Sequence, residues 1–347
     1  MSALKPITIA GGGVAGLALG IGLRRRGIPV TVWEAGHYPR HRVCGEFISG
    51  RGQEVLARLG LLEPFFQAGA SPAHTAAFCL LDARSPVRPL PVPALCLSRF
   101  LMDALLARLF LESGGELREN QRWCGPESPE GLVLANGRRL QPSEGGWRWF
   151  GLKVHARGVP LAADLEMHAL SNGYIGLCRL GPDEVNVCGL FRRSATAHGL
   201  APPRAAILRG TPGTSAWERL EQASFEEASF CSVAGLCLRP QRAAASAQCR
   251  LGDALTLIPP VTGNGMSMAF EAAELALEPL AAYSRGQIPW ARARQGIARA
   301  CDAAFARRLA WARWLQWMMF TPLLQGPLAA LPLRSAWLWR SLFERTR

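Results

Sequence analysis

The chain has 347 residues, and its composition of 49% hydrophobic and 19% charged residues excludes a wholly disordered protein. The length fits two packed domains better than one. The formal net charge of +13 comes mostly from arginines that are dispersed outside the C-terminal region, and no nucleic-acid-binding motif accompanies them, so we expect no nucleic-acid partner.

The N-terminal region has the pattern of a βαβ unit. Pro6 to Ala10 reads as a short strand, a glycine-rich turn follows at 11–16, and a helix is predicted from 14 to 26. Pro29 to Trp33 is a second strand. This order predicts a parallel sheet with a helical crossover.

The elements that follow change in character along the chain. Residues 51–68 have apolar residues at helical spacing, which predicts a helix. Residues 71–97 contain alternating apolar residues and many prolines, which indicates strands and loops. A helix is predicted over Leu97 to Ser113, with Ser98 as its N-cap. Residues 125–147 are rich in Gly, Pro, Ser and charge, which predicts turns and at most one hairpin.

In the second half of the chain the spacing of apolar residues changes. From Trp149 to Phe191 they alternate with polar residues, with a turn at Asn172-Gly173. This pattern predicts an antiparallel sheet that forms a second layer. Helices are predicted over 264–283, over 290–320 and after Pro332, and none of these regions is a clean apolar span of about 20 residues.

The cysteines and the N-terminus both indicate a cytoplasmic location. The ten cysteines are scattered, with no CxxC pair and no histidines at zinc spacing, which predicts reduced thiols and no metal. No charged segment precedes the first apolar run, so we expect no signal peptide and a cytoplasmic location.

The first chemical motif is the GxGxxG sequence from Gly11 to Gly16. Gly11 permits the tight turn, Gly13 lets the backbone approach a pyrophosphate, and Gly16 lets the helix pack closely on the sheet. Glu34 ends the second strand, where a carboxylate accepts the ribose hydroxyls. Strand, helix and terminal carboxylate together predict a dinucleotide site.

The second motif runs from Arg250 to Met266. Asp253 after Gly252 suits a sugar or ribityl hydroxyl, and the turn at Gly263-Asn264-Gly265 enters a helix. The N-terminus of that helix is suited to stabilise negative charge on a reduced flavin. A nicotinamide dehydrogenase needs no such second turn.

These motifs, together with Arg42-Val-Cys44-Gly45-Glu46, resemble FAD-dependent oxidoreductases of the geranylgeranyl reductase and aromatic hydroxylase (group A flavin monooxygenase) superfamily, which includes flavin halogenases. The resemblance covers most of residues 6–280. It implies an α/β fold, with a Rossmann-like FAD-binding domain of glutathione-reductase type, an antiparallel β-sheet substrate domain and C-terminal helices. It implies FAD as cofactor, with NAD(P)H as electron donor.

The resemblance also implies site residues and domain boundaries. Arg99 matches the arginine near the FAD pyrophosphate, and Pro259 belongs to the flavin edge. The implied FAD-binding residues are Gly11, Gly13, Val14, Ala15, Gly16, Glu34, Ala35, Arg42, Cys44, Gly45, Arg99, Gly252, Asp253, Pro259, Gly263, Asn264, Gly265 and Met266. The FAD-binding domain comprises 1–70, 99–148 and 233–283, the substrate domain comprises 71–98 and 149–232, and 284–347 is a C-terminal helical region.

Two features depart from the family pattern. Many relatives have an Ala-Asp-Gly-x-x-Ser segment, linked to NAD(P)H and FAD binding, and residues 137–149 lack it. This puts efficient reduction by NAD(P)H in doubt. The sequence Gly146-Trp147-Arg148-Trp149 resembles the halogenase Trp-x-Trp element, but the Ile-Pro that should follow is missing, which makes halogenation a minor alternative.

Candidate catalytic residues come from the predicted sheet and from Cys44-Gly45-Glu46, which resembles the Cys-Gly element beside the flavin in the reductase branch of the family. Lys153 and His155 alternate onto one face, where His155 would act as acid or base and Lys153 would bind an oxyanion; a solvent-facing pair is the alternative. Cys44 is a redox or acid candidate, or a packing thiol. His168 and Tyr174 are weaker candidates.

The C-terminal helices combine tryptophan with arginine. Trp314, Trp317 and Met318 fall on one helical face among several arginines, which suits peripheral contact with an anionic membrane or the mouth of a lipid-like substrate site. The alternative is a helical pair that packs on the FAD domain.

The expected function is hydroxylation of an apolar or aromatic small molecule by an FAD-dependent monooxygenase that uses NAD(P)H and O₂. Reduction of a prenyl or lipid-like double bond is the first alternative. A flavin-binding protein that has lost turnover is the second.

Overall fold

The computed structural model describes residues 3–80, 83–126, 128–138, 141, 143–197, 203–321 and 335–346. Its strands are β1 (Ile7–Ala10), β2 (Val30–Trp33), β3 (Phe47–Ile48), β4 (Ser71–Leu80), β5 (Ala83–Arg84), β6 (Arg88–Cys96), β7 (Glu116–Arg118), β8 (Leu132–Leu134), β9 (Trp147–Arg157), β10 (Leu165–Leu170), β11 (Gly173–Arg179), β12 (Val185–Ser194), β13 (Ser224–Ala234) and β14 (Cys249–Arg250). Its α-helices are α1 (Val14–Arg24), α2 (Arg51–Arg58), α3 (Leu62–Gln67), α4 (Arg99–Glu112), α5 (Arg204–Arg209), α6 (Ser215–Leu220), α7 (Gly265–Ser284), α8 (Trp290–Met319) and α9 (Ala336–Arg345).

The smaller sheet is the N-terminal βαβ unit with strands added on both sides. Its five strands are parallel, in the order β7-β2-β1-β8-β14. Ile7, Ile9 and Val32 are fully buried, as expected for parallel strands that are covered on both faces. Helix α1 packs against α4 and α7. The predicted Rossmann-like sheet is confirmed.

The larger sheet has the order β13-β9-β12-β11-β10-β4-β6-β3, with β5 paired to β4. Its neighbouring strands are antiparallel except for β4 and β10, which are parallel. The predicted antiparallel layer is therefore confirmed with one exception. The exception arises because 71–97 and 149–194 are distant in sequence, so no hairpin fixes how β4 and β10 pair.

Three parts of the chain differ from the sequence-based expectation. The predicted helix over 51–68 is two helices, since Gly60 takes a left-handed φ of +63° after α2. The region 125–147 contributes β8, a buried parallel strand whose three residues are too few for a periodic signal. Residues 195–232, for which the sequence predicts no individual elements, contain α5, α6 and most of β13.

Helix α8 packs on α7 and β14, and α9 packs on α8. Helix α8 lies against α7, where Arg308 and Glu271 form a buried two-point ion pair with both N···O distances at 2.6 Å. The helix predicted after Pro332 is α9, although residues 332–334 lie outside the described part. Among the described helices, none is both long enough and apolar enough to cross a membrane.

Candidate active site

A cavity of about 960 Å³ is lined by both sheets and by the C-terminal helices. One side consists of the turn after β1, the end of β2 and the segment around Gly252. The other side consists of β4, β9, β10, β11 and β12, and residues of α8 and α9 complete the wall. This volume is at the upper end of ligand pockets, roughly 300–1,000 Å³.

The N-terminus of α1 opens into this cavity. Gly13, Val14 and Ala15 line it, and a Cβ atom on Gly13 would meet nothing within 4 Å. No side chain caps the first turn, which contains no acidic residue, so its N–H groups are available to an anion. Gly16 does not line the cavity; a Cβ there would collide with the Gly11 carbonyl oxygen, because helix and turn pack closely.

The second motif meets the first at this cavity. Gly252 follows β14, and a Cβ atom on it would lie 3.1 Å from the Cβ of Ala15. Its φ of +58° also favours glycine. The adjacent Asp253 lines the cavity and accepts a hydrogen bond from Arg138 Nε at 3.2 Å.

Helix α7 brings a second helix N-terminus to the cavity. Gly263, Gly265 and Met266 line it, and the N-cap residue Asn264 makes no capping hydrogen bond with its side chain. Asn264 instead donates from Nδ2 to the carbonyl oxygen of Thr346 at 2.7 Å. Asn264 is therefore a buried anchor for the end of the chain.

Two arginines surround the glycine-rich end of the cavity. Arg99 is held by Asp103 through two hydrogen bonds of 2.7 and 2.8 Å. Arg42 lies 3.7 Å from both Glu34 and Asp103, and its Nε atom is buried and makes no hydrogen bond to the described residues. An incompletely paired cation here suits an anionic ligand group.

Glu34 is 5% exposed and lies at the end of β2. Its carboxylate accepts hydrogen bonds from the backbone N–H groups of Gly12 and Gly36, both at 2.9 Å. Burial alone would raise the pKa of Glu34, but the Gly36 N–H and the charged Arg40 outweigh it and lower the pKa. The side chain is therefore an ionised acceptor beside the cavity.

Most of the predicted cofactor residues are brought together in this cavity. Its wall includes Gly11, Gly13, Val14, Ala15, Glu34, Ala35, Arg42, Cys44, Gly45, Arg99, Gly252, Asp253, Gly263, Gly265 and Met266. Gly16, Pro259 and Asn264 are not part of the wall. The two free helix N-termini, the unsatisfied Arg42 and the ionised Glu34 together fit a dinucleotide flavin.

Lys153 and His155 are placed differently from the expectation. They share one face of β9, but neither belongs to the cavity wall, and they are 0% and 3% exposed. The segment 40–46 covers them, and residues 40–45 line the cavity instead. The prediction that both side chains line the substrate cavity is therefore wrong, because strand alternation identifies a face and not what covers it.

The covered side chains form a buried ionic cluster around Glu46. His155 Nε2 lies 2.7 Å from one Glu46 oxygen, and Lys153 Nζ lies 3.7 Å from the other. Glu46 is fully buried and has a positive φ of 60°, uncommon for a residue with a side chain. Sequence reasoning quoted Glu46 within a motif but gave it no role, since its partners come from distant strands.

Three side chains in this region are of the types that bind metal ions, but the histidine among them already has hydrogen-bond partners. His155, Glu184 and Glu226 bring three ligand-type atoms within 4.8 Å of one another. Both ring nitrogens of His155 are already paired with carboxylates, at 2.7 Å with Glu46 and 2.9 Å with Glu184. We therefore assign no metal to this group.

The remaining candidates, Cys44, Tyr174 and His168, do not share one site. Cys44 and Tyr174 line the cavity, and the buried Tyr174 hydroxyl has no hydrogen-bond partner among the described residues. His168 is not in the cavity wall; it lies between Glu166 at 3.0 Å and Ser215 of α6 at 2.9 Å. His168 is therefore a structural residue of the α6 packing.

Comparison by sequence matches only part of the chain. No protein-family model matches the chain. The rifampicin monooxygenase of Streptomyces venezuelae is 30% identical over 140 residues, which are 39% of this chain and 29% of that protein. The match therefore spans less than a third of that relative's length.

Comparison by structure covers nearly the whole chain. The flavin-dependent brominase Bmp2 matches with a TM-score of 0.78 and 18% identity, over 99% of this chain and 93% of that one. PqsL of Pseudomonas aeruginosa, described as a probable FAD-dependent monooxygenase, matches with a TM-score of 0.69 and 16% identity, over 99% and 100% of the chains. A variant of the halogenase PltM in complex with FAD also has a TM-score of 0.69, with 16% identity over 98% and 89%. The chain therefore has the fold of FAD-binding monooxygenases and halogenases.

Proposed function

We propose that this chain is an FAD-dependent monooxygenase that hydroxylates an apolar or aromatic small molecule, using NAD(P)H and O₂. The proposal depends above all on one cavity, in which two helix N-termini without side-chain caps meet a mostly apolar wall of the larger sheet. When bound, FAD supplies the two-electron redox chemistry. The residues of the chain must bind it, orient the substrate and exclude water.

The cofactor would occupy the end of the cavity formed by the smaller sheet. The first turn of α1 would bind the pyrophosphate with its N–H groups, with Arg42 adding positive charge. Glu34 would accept the ribose hydroxyls, and Asp253 a hydroxyl of the ribityl chain. The N-terminus of α7 would stabilise negative charge on the reduced ring.

The substrate would lie against the larger sheet. The cavity wall there is mostly apolar. It includes Leu165, Met167, Tyr174, Leu177, Leu190 and Val233 of the sheet, with Met318 and Met319 of α8 beside them. Such a surface favours apolar or aromatic compounds by burying their area and by excluding water from the reacting groups. The unpartnered hydroxyl of Tyr174 is a candidate for a single polar contact.

The similarity to rifampicin monooxygenase and to PqsL supports oxygenation over reduction of a prenyl double bond. Halogenation is a second candidate, because the match to Bmp2 has a TM-score of 0.78. Against it, the Trp-x-Trp sequence here lacks its usual continuation, and Trp149 is buried against Phe320, with 4.8 Å between their ring centroids.

The first experiment is an absorbance spectrum of the purified protein, before and after NADPH or NADH, without and with air. Flavin bands that bleach without oxygen and return in air would support the proposal. Bound flavin that neither nucleotide reduces would contradict the nicotinamide donor, and a protein that binds no added FAD would contradict the function. Product analysis with and without bromide or chloride then separates hydroxylation from halogenation.

We also propose that the C-terminal helices contact an anionic membrane. Trp314, Trp317 and Trp337 are 42%, 59% and 72% exposed, and Arg313 and Arg340 are exposed near them in sequence. The same helices line the cavity through Met318 and Met319 of α8 and Leu342 of α9. Exposed tryptophans among arginines suit the headgroup region, and such contact would bring an apolar substrate to the cavity.

A further inference from the structure

A row of titratable side chains leads away from the cavity. His41 lines the cavity wall. Lys153, Glu46 and His155 follow behind it and are at most 3% exposed. Glu184, with its side chain 38% exposed, ends the row at the surface. Burying so many ionisable groups is costly unless each is paired.

The contacts between these side chains form a continuous series. Lys153 Nζ lies 3.0 Å from His41 Nδ1 and 3.7 Å from Glu46 Oε1. The other Glu46 oxygen lies 2.7 Å from His155 Nε2. The remaining ring nitrogen of His155, Nδ1, lies 2.9 Å from Glu184. Only the lysine–glutamate step exceeds hydrogen-bond distance.

We propose that His41, Lys153, Glu46, His155 and Glu184 form a path that carries protons between solvent and the cavity. The inference rests on the proposed function, because hydroxylation consumes one proton per turnover: substrate–H, O₂, NAD(P)H and H⁺ become substrate–OH, NAD(P)⁺ and H₂O. That proton must reach the reacting groups inside the cavity. The path supplies it through side chains that are mostly buried.

Glu46 is positioned to connect the two halves of the path. Its Oε1 atom accepts a hydrogen bond from the backbone N–H of Arg99 at 2.8 Å, at the start of α4. Its own backbone has φ of 60°, which directs the carboxylate between two cationic side chains at some conformational cost. A carboxylate that only neutralised one cation would need contact with that cation alone, whereas Glu46 faces both His155 and Lys153.

The surroundings of His155 set its charge. Glu46 and Glu184 contact it and Lys153 flanks it. His41 lies edge-on with 5.1 Å between the rings, and Glu226 lies opposite it on the neighbouring strand β13. Burial opposes the imidazolium, but hydrogen bonds to Glu184 and Glu46 outweigh it and raise the pKa of His155. Burial and the charge of Lys153 lower the pKa of His41. These shifts favour the charged imidazole at His155, towards the surface end, and the neutral imidazole at His41, in the cavity wall.

Transfer proceeds by successive proton hops in which no electrons are exchanged. His155, protonated at both ring nitrogens, gives its Nε2 proton to Glu46 and keeps the proton on Nδ1. It regains a proton at Nε2 when the ring turns this nitrogen towards Glu184, which solvent then reprotonates. Lys153 passes a proton to His41 Nδ1 and receives one from the protonated Glu46, once its flexible side chain has closed the gap of 3.7 Å. His41 releases its other proton into the cavity.

The test uses the FAD-loaded protein without substrate. Flavin reduced by one equivalent of NADPH is mixed with oxygen in weakly buffered solution, where reduced flavin anion, O₂ and H⁺ give oxidised flavin and H₂O₂. A pH-indicator dye follows proton uptake, and flavin absorbance follows reoxidation. The test variant is Glu184→Gln/Glu226→Gln, which removes both surface carboxylates beside His155, and the control is Glu227→Gln, an exposed residue of the same strand as Glu226.

We expect proton uptake to slow by about ten-fold or more in the double variant, to recover with added imidazole, and to stay unchanged in the control. If the double variant took up protons as fast as the control, the proposed path would be wrong. If the double variant retains no FAD, Glu184→Asp gives the same comparison with a shortened carboxylate. A wild-type protein that binds no flavin would contradict the proposed function, an outcome distinct from failure of the path.

Discussion

Gly252 lies directly against Ala15, so that a Cβ atom on the glycine would be 3.1 Å from the Cβ of the alanine. The two residues belong to motifs that are far apart in the sequence, and their contact joins the two halves of the proposed cofactor site. The left-handed φ of +58° at Gly252 makes this approach available to glycine in particular.

Gly252→Ala should therefore lower the ratio of bound FAD to protein several-fold. The methyl group presses on the first turn of α1, and the left-handed backbone costs about 1–2 kcal/mol. Absorbance of the desalted protein measures the ratio. Gly158→Ala is the matched control, since Gly158 has a φ of +66° and open space around it; equal flavin loss in both variants would contradict the assignment.

Breaking the pair between Arg308 and Glu271 should destabilise the attachment of α8 to α7. Both residues are 5% exposed, and Arg308→Leu leaves a buried carboxylate unpaired, at a cost of about 3–5 kcal/mol. Urea unfolding measures the change. The exposed pair of Arg84 and Glu218, at 2.6 Å, is the comparison, and Arg84→Leu should cost less than about 1 kcal/mol.

Glu166 should make stability depend on acid pH. Burial would raise its pKa, but hydrogen bonds from His168 and the Ala162 N–H, with the charge of Arg219, hold the pKa at about 2 instead of 4.5. A lowered pKa stabilises the fold above pH 4.5, and this stabilisation is lost as the pH falls towards 2. The contribution is up to about 3 kcal/mol.

The measurement is the free energy of unfolding in urea for wild type and Glu166→Gln at pH 6 and pH 3. The stability advantage of wild type should shrink by about 2 kcal/mol at the lower pH, because at pH 3 the carboxyl is protonated in the unfolded chain while it stays ionised in the folded protein. A difference that is the same at both values would show that Glu166 is not held ionised.

The membrane proposal predicts that Trp317→Ala/Trp337→Ala reduces co-sedimentation with anionic liposomes several-fold, because both side chains are more than half exposed. Trp149→Phe is the control, since Trp149 is buried. Neutral liposomes should bind less wild-type protein than anionic ones. Wild type that remains in the supernatant with both compositions would exclude this contact.

The helices with strong signals could be predicted from the sequence. Ser98 accepts a hydrogen bond from the Leu101 N–H at the start of α4, as its position predicted, and α7 and α8 begin and end within about one residue of the expected bounds. Local periodicity and caps decide such elements. Strand β8 could not be predicted, because three apolar residues become a strand only when β1 and β14 lie beside them.

The amino-acid sequence by itself determined the βαβ unit, the glycine-rich turn and the carboxylate at Glu34, because spacing within one short segment fixes their geometry. It also determined that Lys153 and His155 share a face. Only the tertiary structure decided what that face contacts: the segment 40–46 folds over it, places Glu46 at 2.7 Å from His155 and leaves His41 in the cavity wall. The reason is physical, since strand alternation is local, whereas the burial of a charged side chain depends on partners that arrive from distant parts of the chain.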